Sequence, residues 1–193
     1  MNLNLKEYVY LKHDVLDNEF CQFTINELEN SNNWKKHHWS QYKHQEKITS
    51  TNDNDPENIY SYSPEQNDIN DFLKVKIKET LIEYINHFDF QWFTSILNFT
   101  DVKFIKYSLN HTMKPHCDHI RDIFDGQRKG IPILTIIGLL NNDFEGGNLV
   151  LFKDTKINIK EGDIVIFPSL FLFPHEITPI TKGIRYSYIS WAW

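Results

Sequence analysis

Between Val102 and Trp191 the sequence alternates short apolar runs with turn residues, and this punctuation limits what the chain can fold into more than any other feature. The runs are Val102–Leu109, Pro115–His119, Ile133–Leu140, Asn148–Phe152, Ile164–Pro168, His175–Ile180 and Arg185–Trp191. Asn141-Asn142-Asp143, Gly146-Gly147, Glu161-Gly162-Asp163 and Lys182-Gly183 interrupt them. Each run has the length of a strand and is short for a helix, and turn residues bound it. Many short strands at close spacing predict a sandwich, a barrel or a jelly roll.

The first hundred residues read differently. Tyr8–Leu11 predicts a short strand. Asp17 is placed as an N-cap, opening a helix through about Asn30 with Phe20, Phe23, Ile25 and Leu28 as its apolar stripe. Residues 31–67 are rich in Asn, Ser, Asp and His, and read as a lid or a solvated loop. A second helix is expected from Asp68 or Asp71 to about Phe88, because Ile69, Phe72, Leu73, Ile77, Leu81, Ile82 and Ile85 recur at helical spacing. We therefore expect one domain over 1–193, with helical support and a lid in 1–100 and a β core in 101–193.

Composition narrows the class. Hydrophobic residues at 40% and aromatics at 15% exclude a disordered chain. No apolar run approaches the roughly 18 residues of a membrane span, and the opening residues are too polar for a secretory leader. A soluble, cytoplasmic protein is expected. Two cysteines, Cys21 and Cys117, give no disulfide framework. A net charge of −6 argues against nucleic acid as a partner.

The chemistry-bearing residues lie in the second half. His116 and Asp118 stand two apart on a predicted strand, so both side chains point one way. His175 begins a later strand. Two imidazoles and a carboxylate make the facial triad of non-haem Fe(II) oxygenases, with zinc as the other ion such a set takes. His175-Glu176 does not open a zincin motif, because Pro179 stands where the second His belongs. An HxD pattern alone decides little, since His87-Phe88-Asp89 repeats it at a helix end. What sets His116 apart is its company. Arg185 follows His175 by ten residues and can grip a carboxylate with two charged hydrogen bonds. Ser187 and Trp191 share its strand face, and Tyr107 closes the strand before His116. His37, His38, His44, His111 and His119 are not needed by the triad and read as surface or structural residues.

Residues Phe104 to Trp193 resemble the 2-oxoglutarate and Fe(II)-dependent oxygenase superfamily, nearest its prolyl 4-hydroxylase-like branch. The likeness rests on FIKYSLNHTMKPHCDH, ILTIIGLLNNDFEGGNLVLF and GDIVIFPSLFLFPHEITPITKGIRYSYISW, including Leu140-Asn141 and Gly146-Gly147. VYLKHDVLDNEFCQFTINELE is similar to the branch's opening strand and helix. The resemblance implies a mainly β double-stranded β-helix, a cupin-like jelly roll, with N-terminal helices packed on one sheet. It implies His116, Asp118 and His175 as iron ligands and Arg185 as the residue that binds the far carboxylate of 2-oxoglutarate. Tyr107 and Trp191 match pocket residues, with Ser187 beside them as a hydroxyl donor. Leu139 departs from the pattern, standing where hypoxia-sensing relatives carry a second cosubstrate-binding Tyr. The implied activity is a dioxygenase using Fe(II), 2-oxoglutarate and O2, with ascorbate in support. Its implied substrate is a peptidyl proline, hydroxylated with release of succinate and CO2. A free amino acid or other small molecule is the alternative substrate. A catalytically silent metal-binding jelly roll and a zinc hydrolase are the readings from other classes.

Overall fold

A computed structural model describes residues 4–43, 46–59, 63–88, 98–118 and 132–193. After a 3-10 turn at Leu5–Tyr8 come β1 (Tyr10–Lys12) and α1 (Asn18–Ser31). Strands β2 (Lys35–Lys36), β3 (Trp39–Lys43), β4 (Glu46–Ser50) and β5 (Glu57–Ile59) precede α2 (Pro64–His87). Then follow β6 (Lys103–Tyr107), β7 (Met113–His116), β8 (Leu134–Leu139), β9 (Phe144–Gly146), β10 (Leu149–Leu151) and β11 (Thr155–Lys156). The chain closes with β12 (Ile164–Pro168), β13 (His175–Ile177), β14 (Ile180–Gly183) and β15 (Arg185–Ala192).

The strands form a large antiparallel sheet in the order β1-β12-β8-β15-β6-β5-β2 and a smaller one in the order β11-β10-β13-β7. The pairs β14-β9 and β3-β4 stand as two-stranded ribbons. Side-chain alternation along the large sheet decides what each face meets. On one face, Phe104, Leu134, Ile136, Ile164, Ile166, Tyr186 and Tyr188 pack with Leu28 of α1 and Ile69, Leu73, Ile77 and Leu81 of α2. On the other, Ile105, Tyr107, Ile137, Val165, Phe167 and Ile189 pack with Met113, Leu149, Leu151 and Ile177 of the small sheet. This is the expected jelly roll, with helices on one face of the large sheet and a second core between the two sheets. Burying each large aliphatic side chain contributes about 1.5–3 kcal/mol.

The helices differ in detail from the expectation. Asp17 is the N-cap of α1, its carboxylate accepting from the Phe20 N–H at 2.7 Å. The face that α1 buries is Cys21, Thr24 and Leu28, and Phe23 lies exposed. Helix α2 starts four residues before Asp68. Ser63 and Gln66 cap it reciprocally, with Pro64 in the first turn. Phe72 and Ile82 of the expected stripe point outward, and Phe72 meets Phe20 at 4.5 Å between centroids.

The stretch 31–67 is strand-rich where a lid or loop was expected. Strand β5 pairs with β6, and β2 with β5, so the first half supplies three strands, including β1, to the large sheet. Trp34 packs on the helix-side core against Tyr186, with the Lys106 ammonium 5.5 Å over its ring. Residues 8–9 are not strand, because the 3-10 turn runs to Tyr8 and pairing begins at Tyr10. The run from His175 to Ile180 divides after Ile177, at Pro179, which has no N–H for a ladder. Among the described residues no helix is long and apolar enough to cross a membrane.

Candidate active site

The site is built where the two sheets face each other. Strand β7 ends at His116, which pairs with His175 at the start of β13. Asp118 therefore lies just past the strand end and not on it, and the two-residue spacing does not by itself put it beside His116. A separate tether does. Thr135 Oγ1, on the inward face of β8, donates to Asp118 Oδ2 at 2.9 Å and bonds Ser169 Oγ at 2.8 Å. Neither Thr135 nor Ser169 was singled out from sequence. The available signal is a hydroxyl at inward parity in the otherwise apolar run LTIIGL.

The three side chains converge. One ligand atom from each of His116, Asp118 and His175 lies within 4.8 Å of the others. Asp118 Oδ1 is 3.4 Å from His116 Nε2, and Oδ2 is 3.6 Å from His175 Nε2. Both imidazoles use Nδ1 elsewhere: His116 bonds the Lys114 carbonyl at 2.7 Å and His175 the Phe173 carbonyl at 3.2 Å. A carbonyl only accepts, so Nδ1 carries a proton in each ring and Nε2 is the atom left facing Asp118, whose carboxylate outweighs burial and pushes the His116 imidazole up. Burial works to raise the Asp118 carboxyl, but His175 and His116 outweigh it and hold it well below the usual carboxylate range. Burial pushes the His175 imidazole down. An anionic carboxylate and a neutral imidazole are the forms a metal needs. Two nitrogens and one oxygen in this arrangement fit a divalent transition ion with open positions. Among the described residues this is the one such cluster.

Arg185 is the second feature. The residue is 1% exposed. Nη1 donates to Ser187 Oγ at 2.7 Å, and Tyr107 lies under the guanidinium at 5.2 Å from its ring centroid. Nε and Nη2 are buried without a partner. Those two nitrogens form one edge of the fork, the edge a planar carboxylate meets with two parallel bonds. Burial lowers the Arg185 pKa and pushes the Tyr107 phenol up to about 12, so the site holds a desolvated cation above a neutral ring. Ser187 accepts from Arg185 and so orients it, and that bond leaves the serine O–H to donate elsewhere. Trp191 faces the same interior, with the Lys103 ammonium 5.5 Å from its ring and its buried indole N–H among the groups that lower the Asp118 carboxyl. Leu139 is 1% exposed at inward parity and pairs with Ser187 across the ladder.

The remaining histidines separate from the triad. His37 and His111 are partly buried beside Asn58 and the Ser108 N–H. His44, His119 and Asp89 lie outside the described residues.

Residues 102–193 match the family model described as the 2OG-Fe(II) oxygenase superfamily. A PKHD-type hydroxylase of Shewanella oneidensis is 32% identical over 99 residues, 49% of this chain and 43% of that protein. One from Alteromonas mediterranea is 36% identical over 61 residues, 30% of this chain and 26% of that protein. The chain thus spans less than half the length of these curated relatives. Among solved structures, viral collagen prolyl hydroxylase from Paramecium bursaria Chlorella virus-1, in its 2OG complex, aligns with a TM-score of 0.68 at 19% identity, covering 96% of this chain and 94% of that one. A Trichoplax adhaerens prolyl hydroxylase, in complex with a hypoxia inducible factor peptide, aligns at 0.69 and 17%, covering 96% and 83%. These likenesses establish the fold. Fold and site together define a jelly-roll protein with a His-Asp-His centre beside a buried arginine. Over residues 102–193 the chain is similar to the 2OG-Fe(II) oxygenase superfamily.

Proposed function

We propose that the protein is an Fe(II)- and 2-oxoglutarate-dependent dioxygenase that hydroxylates a C–H bond, with a proline in a peptide or protein as its substrate. The observation that carries this reading is the unpaired Nε–Nη2 edge of buried Arg185, with Tyr107 under the influence of both that cation and the Asp118 carboxylate of the His116, Asp118 and His175 cluster. A buried cation without a counter-ion is destabilising by several kcal/mol. Its retention here is explained by a ligand that brings a carboxylate. A zinc hydrolase has no use for that edge.

Iron and 2-oxoglutarate, when bound, supply the oxidising chemistry: one oxygen atom of O2 enters the substrate C–H bond and the other enters succinate, with loss of CO2. The protein's own part is to hold and orient. His116, Asp118 and His175 would hold the ion through two Nε2 atoms and one carboxylate. Thr135 fixes the carboxylate, and the Lys114 and Phe173 carbonyls fix the rings. Arg185, oriented by Ser187 and backed by Tyr107, grips the distal carboxylate. Leu139, Ile137 and Trp191 line the interior and exclude water. The collagen prolyl hydroxylase among the solved structures and the peptide bound to the Trichoplax enzyme support a peptidyl proline as substrate.

The test is a succinate-release assay with Fe(II) over a panel of proline-containing peptides, with mass analysis of each peptide. Succinate together with a peptide that gains one oxygen on proline is the expected result. Oxygen gained only by free amino acids would replace the substrate class. Folded, iron-loaded protein that releases no succinate with any substrate would overturn the activity.

A further inference from the structure

Trp39 lies outside the jelly roll, at the first position of β3, yet its ring meets the ring of His116 edge-on, with centroids 5.5 Å apart and planes at 85°. Its indole N–H donates to Asp55 Oδ1 at 3.0 Å. Asp55 is 1% exposed, and its other oxygen accepts from the Asn52 N–H at 2.6 Å and from Asn52 Nδ2 at 3.2 Å. On its other side Trp39 meets the His37 ring at 5.0 Å and 89°. His37 is itself held by its own N–H to the Pro56 carbonyl and by Asn58 on Nδ1. A buried carboxylate with three donors thus fixes one indole, and that indole abuts a proposed metal ligand.

His116 needs such a support. It is the last residue of its strand, and its side chain is 22% exposed, against 4% for His175 and 6% for Asp118. One hydrogen bond to the Lys114 carbonyl fixes its Nδ1 but leaves the ring able to tilt about that bond. The Trp39 edge blocks the tilt on one side, and the His175 ring, 4.4 Å away, does so on another.

We propose that Trp39, locked by Asp55, is a positioning residue for His116, so that the segment preceding α2 holds one corner of the metal centre. This inference rests on the proposed role of His116 as an ion ligand. It also connects the β3–β4 ribbon, which begins at Trp39, to the geometry of the ion.

The test is Co(II) titration of the full-length protein, read by visible absorption and by affinity. Groups that support a ligand from outside the coordination sphere typically change metal affinity by about 10- to 100-fold. Trp39→Ala and Asp55→Ala are expected to weaken Co(II) binding by about tenfold or more and to broaden its absorption bands. Their double variant should be little worse than either single one. Trp39→Phe keeps an aromatic edge, folds most readily, and is expected to recover much of the affinity. Trp34→Phe, on the opposite face of the sheet, should bind as the wild type does. Wild-type affinity and an unchanged spectrum in folded Trp39→Ala, or in Asp55→Ala should Trp39→Ala not fold, would overturn the positioning role. Wild-type protein that binds no Co(II) would instead overturn the metal-centre reading on which it stands.

Discussion

A guanidinium with two unpaired nitrogens in a protein interior is held at a loss until an anion arrives. Arg185→Met keeps the volume and removes the charge. In the absence of ligand it is expected to leave the protein as stable or to raise stability by about 1–4 kcal/mol. Ligand then reverses the order. 2-Oxoglutarate at a hundred times its dissociation constant adds about 2.7 kcal/mol to the wild type, and Arg185→Met should show no such rise in Tm. Arg185→Ala should weaken cosubstrate binding by about 2–4 kcal/mol, or roughly 30- to 1000-fold, while metal binding persists. Equal 2-oxoglutarate shifts in wild type and variant, read by thermal melts, would place the carboxylate pocket elsewhere. At the triad, His175→Ala should remove most bound metal. Thr135→Val keeps the shape and takes the hydroxyl from Asp118, so it should weaken metal binding by about 10- to 100-fold.

At the level of elements, the strands facing the site are the most legible part of the chain. Strand β12 spans the residues expected of it, and the parity of Arg185, Ser187 and Trp191 follows from period-two alternation alone. The start of α2 was readable but missed, because the hydrophobic period begins only at Ile69, whereas the Ser-Pro-Glu-Gln cap is written in polar residues ahead of it. Ser63→Ala should therefore cost about 0.5–2 kcal/mol in denaturant melts without changing metal content. The strands of 31–67 were not legible. Strands β2 and β5 are two and three residues long; β5 is ordered by pairing onto β6, more than forty residues away in sequence, and β2 by pairing onto β5. Buried Asp55 and Asn58 interrupt any apolar pattern there. That division yields a test. Replacing 41–48 with a short Gly-rich turn should leave the melting temperature nearly unchanged and raise the peptide KM. Deleting 55–59, which takes out a sheet strand and buried Ile59, should prevent folding. Tight packing between sheet and helices gives another. A Cβ on Gly138 would sit 2.0 Å from the Tyr188 ring, so Gly138→Ala should destabilise by about 1–3 kcal/mol.

For the whole molecule, the two faces of the large sheet have separate duties. The helix face is apolar and carries stability, with Phe104, Ile136, Ile166 and Tyr188 against α1 and α2. The inner face mixes aliphatics with Thr135, Ser187 and Arg185, polar groups whose burial is explained by the ion and the dicarboxylate they are proposed to serve. The ligand types and the arginine were legible in sequence because chemistry restricts them to a few residue types at fixed strand parity. Their tethers were not, because Thr135, Ser169, Trp39 and Asp55 reach the site from four separate places in the chain, and only the fold brings them together. In the proposed function the His-Asp-His cluster and Arg185 serve one reaction. The most direct measurement is 2-oxoglutarate turnover to succinate in anaerobically iron-loaded protein exposed to O2, comparing wild type, His175→Ala and Arg185→Ala. Succinate is expected from the wild type, none from His175→Ala, and, from Arg185→Ala, turnover restored only at much higher 2-oxoglutarate. Equal turnover in all three proteins, or none in folded iron-loaded wild type, would contradict the proposed function.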